Sequence, residues 1–121
     1  MLVTSFGSRK LRLIGRSSMI CQDLGHSYLL KDFEGDNHSQ RLDFIKKIPI
    51  SEGSTELQSV VNGTTNEEVL AVLIDRLNFL QAKFPCRENA IAITHIETGL
   101  LWLNYRTANR VKRGVEGQHK A

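Results

Sequence analysis

The feature that most constrains this chain is a pair of helical repeats in residues 65–114, interrupted by a proline. Thr65 and, three residues later, Glu68 form a capping box that favours the start of a helix. Pro85 ends that helix because it has no backbone N–H and its ring clashes with the preceding turn. Between them, apolar residues recur at alternating steps of three and four, which places them on one helical face: Leu70, Leu73, Leu77, Leu80 and Phe84.

A second helix is predicted from about Arg87 to Gly114, with a seam of the same spacing formed by Ile93, Ile96, Leu100 and Leu103. Only a few residues separate the two helices, so they must lie antiparallel. Helices of about 19 and about 27 residues are roughly 28 and 40 Å long, so the second extends about two turns beyond the first. Trp102 and Tyr105 lie near this extension and need a covering surface. A second copy, giving a homodimer, is the simplest cover, and the chain's own sheet is the alternative.

The N-terminal half is typical of strands and turns. Short β-prone runs are separated by glycine-containing or polar turns, and they cover residues 10–14, 18–21, 27–30, 42–50 and 57–61. The chain of 121 residues has the size of one domain, with a β-rich part at 1–62 and a helical hairpin at 65–115. The predicted fold class is α+β, with an N-terminal antiparallel sheet followed by an antiparallel hairpin of two long helices.

Charge and composition narrow the class of protein. No window approaches the run of about 18 apolar residues that a membrane span needs, so no membrane partner is expected. The two cysteines have no zinc-type spacing and are interpreted as reduced thiols of a cytosolic protein. The net charge of +3 is concentrated near the two ends of the chain. Two separate basic patches favour compact anionic ligands over a continuous nucleic-acid track, although solvated surface charge is the simpler alternative.

The seam of the second helix ends in arginines. Gly99, Leu103, Arg106, Arg110 and Arg113 follow one another at steps of four, three, four and three, so they share one face. Stacked arginines repel one another unless anions or carboxylates lie among them, and their planar guanidinium groups suit bidentate contact with phosphate oxygens. The face is therefore either a phosphate clamp or a set of surface arginines paired with acidic neighbours.

Three further residues could complete a nucleotide site. Phe79 lies beside the seam of the first helix, where its ring could stack on a base or instead pack in a core or an interface. Asn89 lies in the first turn of the second helix, where it could read a base or ribose edge or simply cap the helix. Arg87 could contact the same anion, and a solvated charge is its plainer interpretation.

Catalytic signatures are missing from the sequence. It has no glycine-rich phosphate loop and no nucleophile elbow, and no nucleophile, base and orienting group are recognisable as a set. The four histidines show no ligand spacing. A non-enzymatic protein without catalytic residues, metal or cofactor is therefore expected.

The C-terminal half resembles a known family, the phage Thoeris anti-defence proteins of the first class, which share their helical hairpin with phage anti-CBASS cyclic-oligonucleotide sponges. The resemblance covers about residues 60–119. Its most specific runs are Cys86-Arg87-Glu88-Asn89-Ala90 and Arg113-Gly114-Val115-Glu116-Gly117. Further matching segments are residues 62–67, Asp75-Arg76-Leu77, Phe84-Pro85, Trp102-Leu103 and Arg106-Thr107.

This resemblance implies a sponge of the host bacterial cytoplasm. Such proteins sequester a cyclic ADP-ribose isomer, glycocyclic ADP-ribose, made by a bacterial TIR-domain immunity protein, and they do not cleave it. It also implies homodimers, in some members hexamers, with the ligand pocket at the dimer interface and in some cases a separate site for cyclic di- or trinucleotides. Carried over by position, the ligand residues would be Phe79, Asn89, Arg106 and Arg110.

Two other classes stay open. The chain could be a small phage nucleic-acid-binding regulator whose basic segments contact phosphates, and such binding should weaken steeply with salt. It could also be an assembly protein whose hairpin only oligomerises.

Overall fold

A computed structural model describes residues 18–114 of the chain. Five strands precede two helices: β1 (Ile20–Asp23), β2 (Ser27–Leu30), β3 (Gln40–Asp43), β4 (Lys46–Pro49), β5 (Leu57–Val61), α1 (Asn66–Lys83) and α2 (Arg87–Lys112). The predicted α+β class, with antiparallel strands followed by a helical hairpin, is confirmed. The strand expected at residues 10–14 and the end of the chain after Gly114 lie outside the described residues.

The first three strands form an antiparallel sheet in the order β1-β2-β3. Tyr28 in β2 lies opposite Cys21 in β1 and Leu42 in β3. Cys21 is buried, and the Tyr28 ring meets the edge of Phe44 at a centroid distance of 5.9 Å. Alternation of side chains across a strand explains why Cys21 and Tyr28 can share one packed face.

The run predicted as one strand at residues 42–50 is divided in the structure. It ends one strand at Asp43 and begins the next at Lys46. Between them, Phe44 makes an isolated parallel bridge with Thr64, supported by Thr64 N–H donating to Asp43 O and Ile45 N–H donating to Thr64 O, both at 2.9 Å. The chain changes partner at this point, which residue propensity does not reveal because both halves favour strands. β4 then pairs with β5.

The chain divides into two compact units, each with its own contacts. The described part of the first comprises residues 18–47 and 59–64, and that of the second comprises residues 48–58 and 65–114. The first therefore contains the three-stranded sheet, and the second contains the helical hairpin. Whether the chain behaves as a single domain in solution stays a prediction.

The hairpin packs along the predicted α2 seam, but the packed face of α1 matches the predicted one only in part. In α2, Ile93 is buried, and the rest of its seam is half-buried. In α1 the half-buried positions include Leu70, Ile74, Leu77, Leu80 and Gln81, whereas Leu73 and Phe84 are exposed, at 43% and 80%. Both series have helical spacing and share Leu70, Leu77 and Leu80, so spacing alone could not distinguish them.

The ends of the helices follow local rules. Thr65 caps α1, its hydroxyl accepting from the Glu68 N–H at 3.2 Å. α2 ends at Lys112, with Arg113 as its C-cap and Gly114 at φ +72°. A glycine in the left-handed region is a common helix stop because it lacks the Cβ that would clash there. Among the described residues, neither helix is both long enough and apolar enough to cross a membrane.

Candidate ligand-binding site on the helical hairpin

At the turn of the hairpin lie two of the predicted ligand residues, Arg87 and Asn89. Cys86 is the N-cap of α2, and its sulfur accepts from the Asn89 N–H at 3.4 Å. This contact places Asn89 three residues after the cap, in the first turn of α2. Arg87 is exposed and Asn89 is half-buried. First-turn N–H groups and the helix dipole make this end of α2 electropositive, which suits an anionic ligand.

Phe79 lies on the outward side of α1, near the same turn. Its side chain is 56% exposed, and the ammonium of Lys83 lies 4.8 Å from the ring centroid. An accessible ring with a cation nearby has the features of a stacking surface for an electron-rich base. The structure thus places this aromatic outside the packed face, and its role in ligand contact stays a prediction.

The three predicted arginines lie at the other end of α2. Arg106 is exposed, Arg110 is half-buried and Arg113 is exposed. Arg113 belongs to the cap rather than the helix, and its backbone N–H donates to Asn109 O at 3.0 Å. Positive side chains here also complement the negative end of the helix dipole, so part of their effect is on α2 itself.

The predicted residues form two groups at opposite ends of the hairpin. Seventeen residues separate Asn89 from Arg106 along α2. At the helical rise of 1.5 Å per residue, this is about 26 Å, and Arg110 lies about 6 Å further on. One hairpin therefore does not bring the aromatic and amide groups beside the arginines.

A groove between the two helices was not foreseen from the sequence. Its volume is about 530 Å³, and it is lined by Ala71, Ile74, Asp75, Asn78, Glu97, Leu100, Leu101 and Asn104. None of the six predicted ligand residues is among them. Asp75 and Glu97 would repel a phosphate, so this groove does not suit a pyrophosphate on electrostatic grounds. The sequence carries no signal for this groove, because its lining comes from two helices and depends on how they are offset.

A second polar cluster lies in the three-stranded sheet. The Ser27 hydroxyl donates to Asp43 Oδ1 at 2.6 Å, and Arg41 Nε donates to Asp43 Oδ2 at 2.8 Å. These two hydrogen bonds lower the pKa of the Asp43 carboxyl below its ordinary value of 3.8, and the bond from Ser27 has the larger effect. Lys46 pairs with Asp23 at 3.0 Å. Each charge has an opposite partner, so the cluster ties strands together and has no excess charge to attract a ligand.

Metal chemistry has no candidate centre in the part of the chain that the structure describes. Within residues 18–114, no group of three or more His, Cys, Asp or Glu side chains is arranged to hold a metal ion. The described thiols, Cys21 and Cys86, are both free cysteines.

Comparison with known proteins decides the family. Residues 46–108 match the family described as Acb2/Tad1, hairpin domain. The chain belongs to the Acb2/Tad1 hairpin family. This confirms the resemblance seen in the sequence, and it extends that resemblance towards the N-terminus, because the matched segment begins in β4 rather than near residue 60.

The amino-acid sequence of the chain is also similar to that of a phage protein. The chain is 55% identical over 60 residues to a protein named Thoeris anti-defense 1, of Bacillus phage SBSphiJ7. The alignment covers 49% of this chain and 42% of that protein, so the chain matches less than half the length of its relative. Of the six predicted ligand residues, Phe79, Arg87, Asn89 and Arg106 lie within the family segment, whereas Arg110 and Arg113 follow its end.

Proposed function

We propose that this protein is an anti-defence sponge of phage origin that binds a cyclic ADP-ribose isomer in the host bacterial cytoplasm and sequesters it. Its membership of the Acb2/Tad1 hairpin family carries the proposal, supported by its similarity to a protein named Thoeris anti-defense 1. Glycocyclic ADP-ribose, the product of a TIR-domain immunity protein, is the proposed ligand. Sequestration alone would suppress the signal, so the proposed function needs no catalytic residue and no cofactor.

The pyrophosphate is assigned to the arginines of α2. Arg106 and Arg110 are one helical turn apart and therefore project from the same flank of the helix. Each guanidinium group presents a planar set of donors, and two of them can hold the oxygens of adjacent phosphates in a bidentate manner. Arg113 and Arg87 add positive charge at the two ends of α2.

The nucleoside part is assigned to the turn of the hairpin. Phe79 offers an exposed ring on which a base can stack, and Asn89 offers an amide that can both donate to and accept from a base or ribose edge. These contacts would add selectivity to the charge attraction, because phosphate binding alone does not distinguish one nucleotide from another.

A complete pocket needs two chains. The turn and the arginine end of one hairpin are about 26 Å apart, too far for one compact nucleotide to contact both. Antiparallel pairing of two hairpins would place the turn of one protomer beside the arginines of its partner, and twofold symmetry would create two such pockets. A homodimer is therefore part of the proposal. Assembly into a hexamer and a separate site for cyclic di- or trinucleotides are extensions of it.

Calorimetric titration of the full chain with glycocyclic ADP-ribose tests this proposal. Arg110→Ala should weaken binding about ten- to hundredfold, because charge-assisted hydrogen bonds to a phosphate are lost. The matched control is Lys112→Ala, which removes a positive charge from the same last turn of α2 but from a different side of the helix. It should change the affinity less than about threefold, as expected of a partly screened charge.

Three outcomes would contradict the proposal. Equal affinity of the wild type and a folded Arg110→Ala variant, with folding checked by circular dichroism, would show that Arg110 does not bind the pyrophosphate. Binding of duplex DNA that weakens steeply with salt, with no binding of the cyclic nucleotide, would instead support the nucleic-acid-binding alternative. Ligand released by heating and analysed by mass spectrometry should be intact, and a cleaved product would contradict sequestration without degradation.

A further inference from the structure

The turn between the helices contains a side chain that bonds twice to the backbone. The amide of Gln81, near the end of α1, pairs with the main chain of Cys86. Its Nε2 donates to Cys86 O at 2.9 Å, and its Oε1 accepts from Cys86 N–H at 3.1 Å. Because an amide has one donor edge and one acceptor edge, this pairing satisfies both with a single planar contact.

The rest of the turn is weakly held by comparison. Phe84 N–H continues the helical pattern by donating to Leu80 O at 2.9 Å, but Pro85 has no N–H to donate. The cap of α2 is a cysteine sulfur, which is a weaker acceptor than the oxygen of serine or aspartate. Among the hydrogen bonds across this turn in the described part of the chain, those of Gln81 therefore link α1 directly to the cap of α2.

We propose that Gln81 is a positioning residue that fixes Asn89 relative to Phe79, an inference that rests on the function proposed above. Phe79 lies two residues before Gln81 on α1, and Asn89 lies three residues after Cys86 on α2. The Gln81–Cys86 pair is thus the short connection between the two elements that carry the ring and the amide. Gln81 does not contact the ligand in this arrangement and acts through the geometry of the turn.

The functional consequence is preorganisation. A sponge competes with the signal's receptor for a scarce ligand and therefore needs high affinity. Affinity is higher when the binding groups are already in place, because less conformational freedom is lost on binding. If the first turn of α2 moved, Asn89 and the electropositive N–H groups beside it would change position relative to Phe79 on α1. The loss would then be seen in ligand affinity even when the protein stays folded.

The test compares two Gln81 variants with a control substitution that is expected to destabilise the protein by a similar amount. Gln81→Met keeps the length of the side chain and removes both hydrogen bonds. Gln81→Glu keeps the acceptor for Cys86 N–H but turns a second oxygen towards the Cys86 carbonyl, which it repels. The control, Thr65→Ala, removes the cap of α1 at its other end, 14 residues and about 21 Å from Phe79.

Two measurements are made on each full-length variant well below its unfolding temperature. Calorimetry with glycocyclic ADP-ribose should give about tenfold weaker binding for both Gln81 variants, the loss expected when a preorganising contact is removed, and wild-type affinity for Thr65→Ala. Amide hydrogen exchange in the ligand-free protein should be faster in the first turn of α2 for the Gln81 variants, with Ala90 N–H, which donates to Cys86 O, as the reporter.

The outcomes separate this inference from the proposed function. If the wild type binds and the Gln81 variants bind equally well, the positioning role is overturned while the sponge function stands. Unchanged exchange at Ala90 in Gln81→Met also overturns it, because the turn is then held by other contacts. If Thr65→Ala loses as much affinity, the Gln81 effect is one of general stability. Failure of the wild type to bind rejects both proposals together.

Discussion

At the scale of single residues, Gly63 shows how an absent side chain permits a backbone contact. A Cβ at this position would lie 2.5 Å from Asp43 O and 2.7 Å from Phe44 C, both of them backbone atoms. Such distances are far inside van der Waals contact, and backbone atoms cannot rotate away as a flexible side chain can. Gly63 therefore allows Thr64 to reach Asp43 and Ile45 through its two main-chain hydrogen bonds.

Gly63→Ala should destabilise the protein by about 1–3 kcal/mol, the usual range for forcing atoms into a well-packed place. The two hydrogen bonds of Thr64 have to lengthen as the chain moves aside. Chemical denaturation with a fluorescence or circular dichroism readout would measure the change in the free energy of unfolding.

Gly99→Ala is the matched control for this substitution. Gly99 lies in α2, and an added Cβ there meets nothing within 4 Å. Alanine should stabilise a helix position by up to about 1 kcal/mol over glycine. The two glycine variants should therefore change the free energy of unfolding in opposite directions. A Gly63→Ala protein as stable as the wild type would contradict the close approach of Gly63 to the backbone of Asp43 and Phe44.

At the scale of secondary-structure elements, Asp43 ties neighbouring strands together. Its carboxylate at the end of β3 accepts from Ser27 at the start of β2, and Arg41 lies on the same strand two residues earlier. Ser27 is 8% exposed, so its hydroxyl needs a partner within the protein. The hydrogen bonds favour the charged carboxylate, which is why the pKa of Asp43 is lowered.

The lowered pKa of Asp43 predicts how the stability of the protein changes at acidic pH. A carboxyl whose pKa is lower in the folded state contributes stability above its unfolded pKa, and the contribution is lost as the pH falls through the folded pKa. Asp43→Asn should therefore lose less unfolding free energy than the wild type as the pH is lowered from about 5 through 3.8 and below. Urea unfolding at several pH values would measure the difference.

Asp36→Asn provides the reference for the acid experiment, because Asp36 is an exposed carboxylate in the segment between β2 and β3. Its pH dependence should follow the wild type. If Asp43→Asn also follows the wild type, the hydrogen bonds of Asp43 do not favour its charged form in solution.

At the scale of the whole molecule, the helical hairpin leaves large apolar and aromatic side chains exposed to solvent. No described residue of α1 is buried, and Ile93 is the buried residue of α2. Trp102 and Tyr105 are about two-thirds exposed and contact each other edge to face at 5.8 Å. Contiguous exposed aromatics of this kind are typical of protein interfaces. The homodimer expected from the helix lengths thus has a defined candidate surface.

We predict that the full chain is a dimer and that Trp102→Glu converts it to a monomer. Burying a charge in an apolar interface is costly, so the variant protomers should separate. Light scattering coupled to gel filtration should give twice the chain mass of 13.7 kDa for the wild type and the single mass for the variant.

Phe33→Glu is a suitable control for the dimer experiment. Phe33 is also an exposed aromatic, but it lies between β2 and β3 rather than on the hairpin. It should leave the assembly unchanged. A monomeric wild type would contradict the dimer and, with it, the two-chain pocket, whereas a dimer that survives Trp102→Glu would place the interface on another surface.

Much of the hairpin could be predicted because its determinants are local. The capping box at Thr65, the stop at Pro85 and the seam from Ile93 to Leu103 each involve residues within a few turns of one another. The positions of the predicted ligand residues on the helices followed directly from the same periodicity. The groove lined by Asp75 and Glu97 could not be predicted, because it depends on the offset between two packed helices.

By itself, the sequence determined the α+β class, the two helices with their ends, and the face of α2 that packs, because repeat spacing and capping act over short stretches of chain. Only the tertiary structure decided that Ile74 rather than Leu73 lies on the packed side of α1, that the 42–50 run divides at Phe44, and that Gly63 lies against Asp43. These features depend on which distant segments meet and how closely, and local periodicity carries no information about such distances.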